Sequence, residues 1–520
     1  MSDLPGPVRR LADLLQEIRR RFSDLLPVQA IPWIRFKHPI HPVQTELAEQ
    51  PDRRVRVSLE AVLLPIRFFR CLLTAIHMTL QLAFIRLRLR RFLSMVKKER
   101  FDLVVKTWAY PESLLPGLQD FYYGDFQQRL LKEGVKTLLL AGKPTEMGWL
   151  DFAKASATAS TPFQLPEVSL VPLTAPVRSV FLQMGASLRV FKEAAGMRDP
   201  FNRQVFFRVS RDCLSPAVMA ISLYYWIGRE AVRRWHPKAV IALYEGSGWE
   251  QCFWHGAKKA DPICKTVGYQ HTILLRHNLA LLEPERKGER RPHPDTVLCL
   301  GPRTEEMLRP SHLGCDLFLF GTFRQVPASS SQMEPSPEKK TVLVLPEGYM
   351  EEAVLLFNAA LQAARDLPDH RFILRSHPVL PMEEILPRLR SNPADLLNVR
   401  MSRGKPIEED FASSSVVLYR GSSSVLYAIL HGLKPVYFSN GRFPELDPLF
   451  ELDAWRETVS SIEALEQFLR RYASTDSRMA SDPWRSAAGY AASYAIPVRE
   501  NSIGRLLAGL HIGQGEVFVA

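Results

Sequence analysis

Cysteine is scarce in this sequence. There are six in 520 residues, at positions 71, 213, 252, 264, 299 and 315, and no two stand as C-x-x-C. That scatter speaks against a zinc ribbon or a disulfide scaffold, and it predicts reduced, buried cysteines in a cytosolic protein. The opening residues, MSDLPGPVRR, lack the apolar stretch of a secretory leader, so none is expected. The apolar segment 58–96 lacks a charge-free run of the length needed to cross a membrane. A spanning helix takes about 20 residues, and the longest run here, 71–85, has 15. No D-x-D-like motif is evident, so no metal site is expected. The composition is that of a folded chain, with 46% hydrophobic and 23% charged residues. Its length allows two domains with attachments.

The charge is concentrated. The chain carries +12, and residues 1–100 hold 19 Lys+Arg against 9 Asp+Glu. The remaining 420 residues are therefore nearly neutral. In the first hundred the basic residues alternate with aliphatic ones, which favours an anionic membrane surface over nucleic acid as a partner. Residues 7–26 read as an amphipathic helix, with Val8, Leu11, Leu15, Ile18, Phe22 and Leu25 at helical spacing. A Pro-interrupted stretch, IPWIRFKHPIHP, breaks it. Segment 58–96 then leaves two readings open. It covers the first domain's sheet with its arginines snorkelling outward, or it lies on a negatively charged leaflet.

From residue 101 the pattern becomes strand, polar loop, helix. Strands are expected at 103–106, 136–141, 238–244, Lys265–Tyr269, 296–300 and 317–320. A helix begins at the Ser215 N-cap and Pro216 and runs to Trp235. Residues 150–200 look irregular, being rich in Pro, Ser and Thr. This alternation predicts a parallel, doubly wound sheet over 101–324. The strand ending at Tyr244 runs into Glu245-Gly246-Ser247-Gly248-Trp249-Glu250. Such strand ends are where open α/β sheets hold ligands. Glu245 is the first candidate there, with Glu250 one turn on and His271 at the end of the next strand.

Residues 325–340 (QVPASSSQMEPSPEKK) have no apolar face and read as a linker. Beyond them, over 341–480, the alternation resumes with Thr341–Leu345, helix 350–366, strand 371–375, a helix near 382–390, Val416–Tyr419, helix 423–433, strand 436–438 and helix 462–471. A helical tail occupies 481–520. Two strand ends carry chemistry: Ser376-His377-Pro378, and Arg420-Gly421-Ser422-Ser423-Ser424 opening a helix. Unsatisfied N–H groups and hydroxyls at a helix start suit an anion, and an imidazole can donate to the same phosphate. Lys405, Arg403 and Arg420 could add positive charge.

Arg375-Ser376-His377-Pro378, followed by Gly421-Ser422-Ser423-Ser424 and the helix to Gly432-Leu433-Lys434-Pro435-Val436, resembles the HP and SS motifs of bacterial GT-B glycosyltransferases. The nearest pattern is that of the transferases using CMP-activated acidic sugars, the sialyl-, polysialyl- and Kdo-transferases of surface polysaccharides. Glu245 through Trp249-Glu250 to Gly268-Tyr269-Gln270-His271 is also similar to bacterial surface-carbohydrate biosynthesis proteins. The resemblance implies two Rossmann-like doubly wound domains facing a cleft, here with a basic helical N-terminal extension. It implies a nucleotide sugar as donor substrate, a surface-polysaccharide or lipid-linked glycan as acceptor, no further cofactor and no metal. His377, Gly421, Ser422, Ser423 and Ser424 would hold the nucleotide phosphate and Glu245 would be the general base. The family's base motif has two acidic residues before its Gly; here Tyr244 stands at the first. Arg420 departs from the acidic residue of the related CDP-glycerol polymerases. The expected setting is cytoplasmic, peripheral on the inner face of the membrane. A CDP-glycerol-type glycerophosphotransferase, a UDP-sugar epimerase of the same fold, and a non-catalytic polysaccharide-assembly protein remain as alternatives.

Overall fold

The computed structural model describes residues 4–37, 40–51, 55, 57–109, 120–143, 151–152, 163–285, 293–324, 334–402, 404–441 and 444–512. Of the linker expected at 325–340, residues 325–333 lie outside the described residues, as does Arg403.

Two wholly parallel sheets organise the chain. The first comprises β1 (Leu103–Trp108), β2 (Thr137–Gly142), β3 (Phe163–Pro166), β4 (Ala239–Leu243), β5 (Lys265–Tyr269), β6 (Thr296–Cys299) and β7 (Asp316–Leu319), in the order β3-β2-β1-β4-β5-β6-β7. The second comprises β8 (Thr341–Leu345), β9 (Arg371–Leu374), β10 (Val399–Met401), β11 (Val416–Tyr419), β12 (Lys434–Phe438) and β13 (Glu457–Val459), in the order β10-β9-β8-β11-β12-β13. Both are doubly wound and Rossmann-like, each with a switch point where the strand order reverses. They face a common cleft, the GT-B-like arrangement anticipated above.

The strands read as continuous apolar runs because both sheet faces are covered. Val104, Leu138, Leu140, Val240 and Ala242 pack one way, under the helices Pro216–Trp235 and Gly248–Ala260. Their alternates Leu103, Val105, Leu139, Ile241 and Leu243 pack the other way. Part of that second cover comes from far along the chain. Helix Ser477–Tyr494 lies on the second domain, where Trp484 donates its indole N–H to the Ile429 carbonyl at 2.7 Å. The chain then crosses back. Ile496 N–H donates to Leu300 O (2.9 Å), and Thr322 N–H to Ile496 O (2.8 Å). Helix Glu500–Gly509 places Ile503, Leu506 and Leu507 on the first sheet. The described part of the 481–520 tail, residues 481–512, is thus shared between the domains, and residues 513–520 lie outside the described residues.

The front end is integral to the first domain. Helix Gly6–Arg21 buries Leu11, Leu14, Leu15 and Ile18 against Val190, Val205, Phe206 and Val209. Those partners lie on helices Ala175–Gly196 and Pro200–Cys213, the first of which falls in the segment 150–200 that the sequence marks as irregular. The buried face of the first of these includes Ser179, Gln183 and Ser187, so its core side is polar in sequence and the helical periodicity is masked. A 41-residue helix, Val57–Lys97, buries Leu64, Cys71, Ala75, Leu82, Ile85, Leu89 and Val96 along one side. Among the described residues no helix is long and apolar enough to cross a membrane. All six cysteines are unpaired, and five are buried.

Candidate active site

Strand β4 (AVIAL) is buried end to end and delivers Tyr244 and Glu245 to the cleft edge of its sheet. The two side chains diverge. Tyr244 is buried, with its hydroxyl 2.9 Å from His293 Nδ1 and 2.8 Å from His312 Nε2. The position where the resembling family has its first acidic residue therefore faces the interior here. Gly246 follows at φ +80°, in the left-handed region, where a Cβ would lie 2.7 Å from that of Ala280. Glu250, in the first turn of the next helix, folds back over this loop. Its carboxylate accepts the N–H groups of Glu245, Gly246 and Ser247, each at 3.0 Å. Burial and then the Glu245 charge push the Glu250 carboxyl up to about 8. Glu250 braces the loop and does not line the cavity.

Glu245 turns into the cleft with 37% of its side chain exposed. One carboxylate oxygen is 3.0 Å from His271 Nε2 and the other 3.9 Å from Lys37 Nζ. Burial alone would raise its proton affinity. The His271 hydrogen bond and charge, and then Lys37, outweigh burial and hold the carboxyl at about 2. Lys37 comes from the Pro-interrupted stretch, and its ammonium also donates to Ser247 Oγ at 2.7 Å.

The opposite wall is built from three strand ends at the switch point of the second sheet: Glu347-Gly348-Tyr349 after β8, Ser376-His377 after β9 and Gly421-Ser422-Ser423 after β11. Val379 N–H donates to His377 Nδ1 at 3.3 Å, which puts the proton of the neutral ring on Nε2. Burial, followed by Arg324, lowers the imidazole's proton affinity below its ordinary value, so it is neutral at pH 7. Gly421 has φ +67°, and a Cβ there would collide with the Glu347 carboxylate. Its N–H is taken by Leu446 O at 2.8 Å. Within the described residues no acceptor takes the N–H groups of Ser422 and Ser423, as is usual where a helix starts.

These groups meet. A cavity of about 400 Å³ is lined by Lys37, Glu245, His271 and Arg324 from the first domain and by Glu347, Tyr349, His377, Gly421, Ser422, Ser423 and Tyr427 from the second. One wall carries a carboxylate–imidazole pair. The other carries a neutral N–H donor, hydroxyls and backbone N–H groups, with Arg324 acting on His377, while Lys37 stays on the first wall beside Glu245. Such a cavity can hold an anion on one side and take up a proton on the other.

Several sequence candidates are placed elsewhere. Ser424 lines a neighbouring pocket of about 680 Å³, together with Arg129 and His431. Arg420 is buried and turned away from the cavity, paired with Glu352 and donating to Phe438 O at 2.6 Å. Lys405 is exposed and pairs with Glu409 at 3.3 Å. Lys37, Arg324, Glu347, Tyr349 and Tyr427 were not anticipated. Glu347 and Arg324 follow β8 and β7, so the strand-end rule that flagged Glu245 and His377 applied to them as well. Lys37 carried no such signal. Among the described residues no cluster of three His, Cys, Asp or Glu side chains forms a metal site.

No family model matches the chain. No curated protein matches it in sequence. Solved structures that resemble it in shape include a glycotransferase of kitacinnamycin (13% identity, TM-score 0.45, covering 79% of this chain and 99% of that one). Another is a UDP-GlcNAc 2-epimerase from Neisseria meningitidis bound to UDP-GlcNAc (10%, 0.42, 79% and 99%). A third is a calicheamicin glycosyltransferase (13%, 0.42, 81% and 100%). Likenesses this distant carry no argument about activity, substrate or the role of any residue.

Proposed function

We propose that the chain is a glycosyltransferase that moves a sugar from a nucleotide donor, with a CMP-activated acidic sugar favoured, to a surface-polysaccharide or lipid-linked glycan acceptor. The observation that carries this reading is the single cavity that sets Glu245 and His271 opposite His377, Ser422 and Ser423. The donor phosphate lies against the second-domain wall and accepts from His377 Nε2–H and from the Ser422 and Ser423 groups. The acceptor hydroxyl lies near Glu245. Its oxygen bonds to the anomeric carbon as the bond from that carbon to the phosphate oxygen breaks. The electron pair leaves with the nucleotide, and the acceptor proton passes to Glu245. Charge growing on the leaving phosphate is met by groups already in place. The Glu347 carboxylate would repel a phosphate laid directly on it, and so suits a hydroxyl-rich part of the donor.

Arg324 and the His377 donor meet the charge on the leaving phosphate without a metal ion. Turnover with the true acceptor is therefore expected to survive chelation by EDTA; a requirement for Mn²⁺ or Mg²⁺ would remove this part of the reading. Thermal-shift measurements against CMP, CDP and UDP test the whole. Stabilisation by CMP above the other two is the expected result. Selective stabilisation by UDP would move the assignment to an epimerase. CDP alone would point to a glycerophosphotransferase. A response to no nucleotide would leave a polysaccharide-assembly protein.

A further inference from the structure

The long helix Val57–Lys97 has two apolar sides, and only one is used by the fold. Its inner side packs on helix Ala175–Gly196 and the first domain's core. Along its outer side Leu59, Val62, Ile66, Phe69, Leu73, Ile76, Leu80, Phe84 and Leu87 recur every three or four residues, which sets them on one stripe. They are 45–68% exposed. At 1.5 Å per residue the stripe is about 42 Å long. It widens onto the neighbouring helix, where Phe181, 60% exposed, packs its ring against Phe68 with centroids 5.9 Å apart, and Leu182 is also exposed. Isolated exposed apolar residues are ordinary in soluble proteins, but a continuous band of this size is not.

The charge around the stripe identifies what covers it. Residues 61–98 contain no Asp or Glu and eight Lys or Arg. Arg67 is paired with Glu60, and Arg86 donates to the carbonyls of Ser169 and Val171. Arg70, Arg88, Arg90, Arg91, Lys97 and Lys98 are exposed, and Arg88 sits over the Phe84 ring at 5.1 Å. A protein partner would answer an apolar stripe with apolar side chains and gain nothing from a one-signed border. A second copy of this face would set like charge on like charge. An anionic lipid leaflet answers both features at once, with acyl chains for the stripe and phosphates for its border.

We propose that this face is a monotopic membrane-binding surface, with the long helix lying flat in the headgroup layer of an anionic leaflet and its inner side remaining on the protein. The inference is independent of the reading of the cleft. It also joins the two sequence readings of segment 58–96, since one side of the helix covers the domain while the other is left for lipid.

Co-sedimentation of the full chain with phosphatidylcholine vesicles, with and without phosphatidylglycerol, tests it. Binding is expected on the anionic vesicles and is expected to weaken as salt is raised. Replacing Leu73, Ile76 and Leu80 together by Ser should weaken partition about tenfold or more, with an unchanged melting temperature because all three are exposed. Should that variant melt early, Arg88→Glu with Arg91→Glu is the deciding variant and should weaken binding similarly. Absence of binding to either vesicle, or wild-type binding by the deciding variant, overturns the proposal. So does a lipid-free dimer, seen by sedimentation velocity, that the serine variant dissociates.

Discussion

At the scale of single residues, the Glu245–His271 contact is the most informative. A carboxyl held at about 2 is ionised throughout the neutral range, and His271 is the main reason it is held there. With His271 removed, burial acts almost unopposed, and the carboxyl should rise past its ordinary 4.5. In His271→Ala the acidic limb of the pH–rate profile should therefore move upward into the range above pH 4.5; an unmoved limb would detach His271 from Glu245. The sign is fixed by the depression: the stabilisation carried by the Glu245 carboxylate is present above its ordinary 4.5 and is lost as pH falls toward 2. His377→Ala should lower turnover by about 10²-fold or more, the scale of losing one transition-state donor. Near-wild-type turnover would take His377 out of the site. Gly421→Ala should destabilise by about 1–2 kcal/mol from the left-handed backbone alone, with a further loss from displacing Glu347, read as a lower melting temperature and weakened nucleotide binding. Glu245, His377, Ser422 and Ser423 were visible in the sequence because each follows a buried apolar strand. Ser424 and Arg420 followed the same strand and are turned elsewhere. The strand-end rule fixes position but not the direction of a side chain, which depends on packing from residues such as Glu352.

At the scale of elements, the sequence was most legible where apolar residues were buried and least where polar ones were. β8, β11 and the helix Met350–Asp366 were read to the residue. Helix Ala175–Gly196 was missed because serines and a glutamine face its core while Phe181, Leu182 and Leu188 face out. β10 and β13 are three-residue edge strands with little apolar signal. The two sides of the long helix offer a test of the same distinction. Leu82 belongs to the inner side, and Leu82→Ala should cost about 2–5 kcal/mol. Leu80→Ala, two residues away on the outer side, should stay within about 0.5 kcal/mol. Denaturant unfolding of the pair measures both, and equal losses would mean that the outer side is not solvent-facing in the free protein.

At the scale of the molecule, the domains are joined more firmly than one linker would allow. Arg303 reaches Glu451 at 2.8 Å across the boundary, and Leu274 N–H donates to the Tyr494 hydroxyl at 2.6 Å. The return of residues 495–512 also means that 101–324 alone is not a complete folding unit. A fragment ending at residue 324 should bind hydrophobic dye and aggregate, and adding a peptide of residues 495–512 should reduce both. A stable, dye-silent fragment would show that Ile503, Leu506 and Leu507 cover a surface that needs no cover. That return was not read from the sequence, because nothing local in 495–512 says which of the two sheets it will meet.

The same crossing sets the order of events during synthesis. At about 5–20 residues per second, the stretch from 324 to 495 takes roughly 10–35 s to be made. For that interval part of the first sheet is bare while the second domain is already folding behind it. The domain that starts first is finished last, and the gap gives a holding chaperone a defined client: the face around Leu103, Val105 and Leu139.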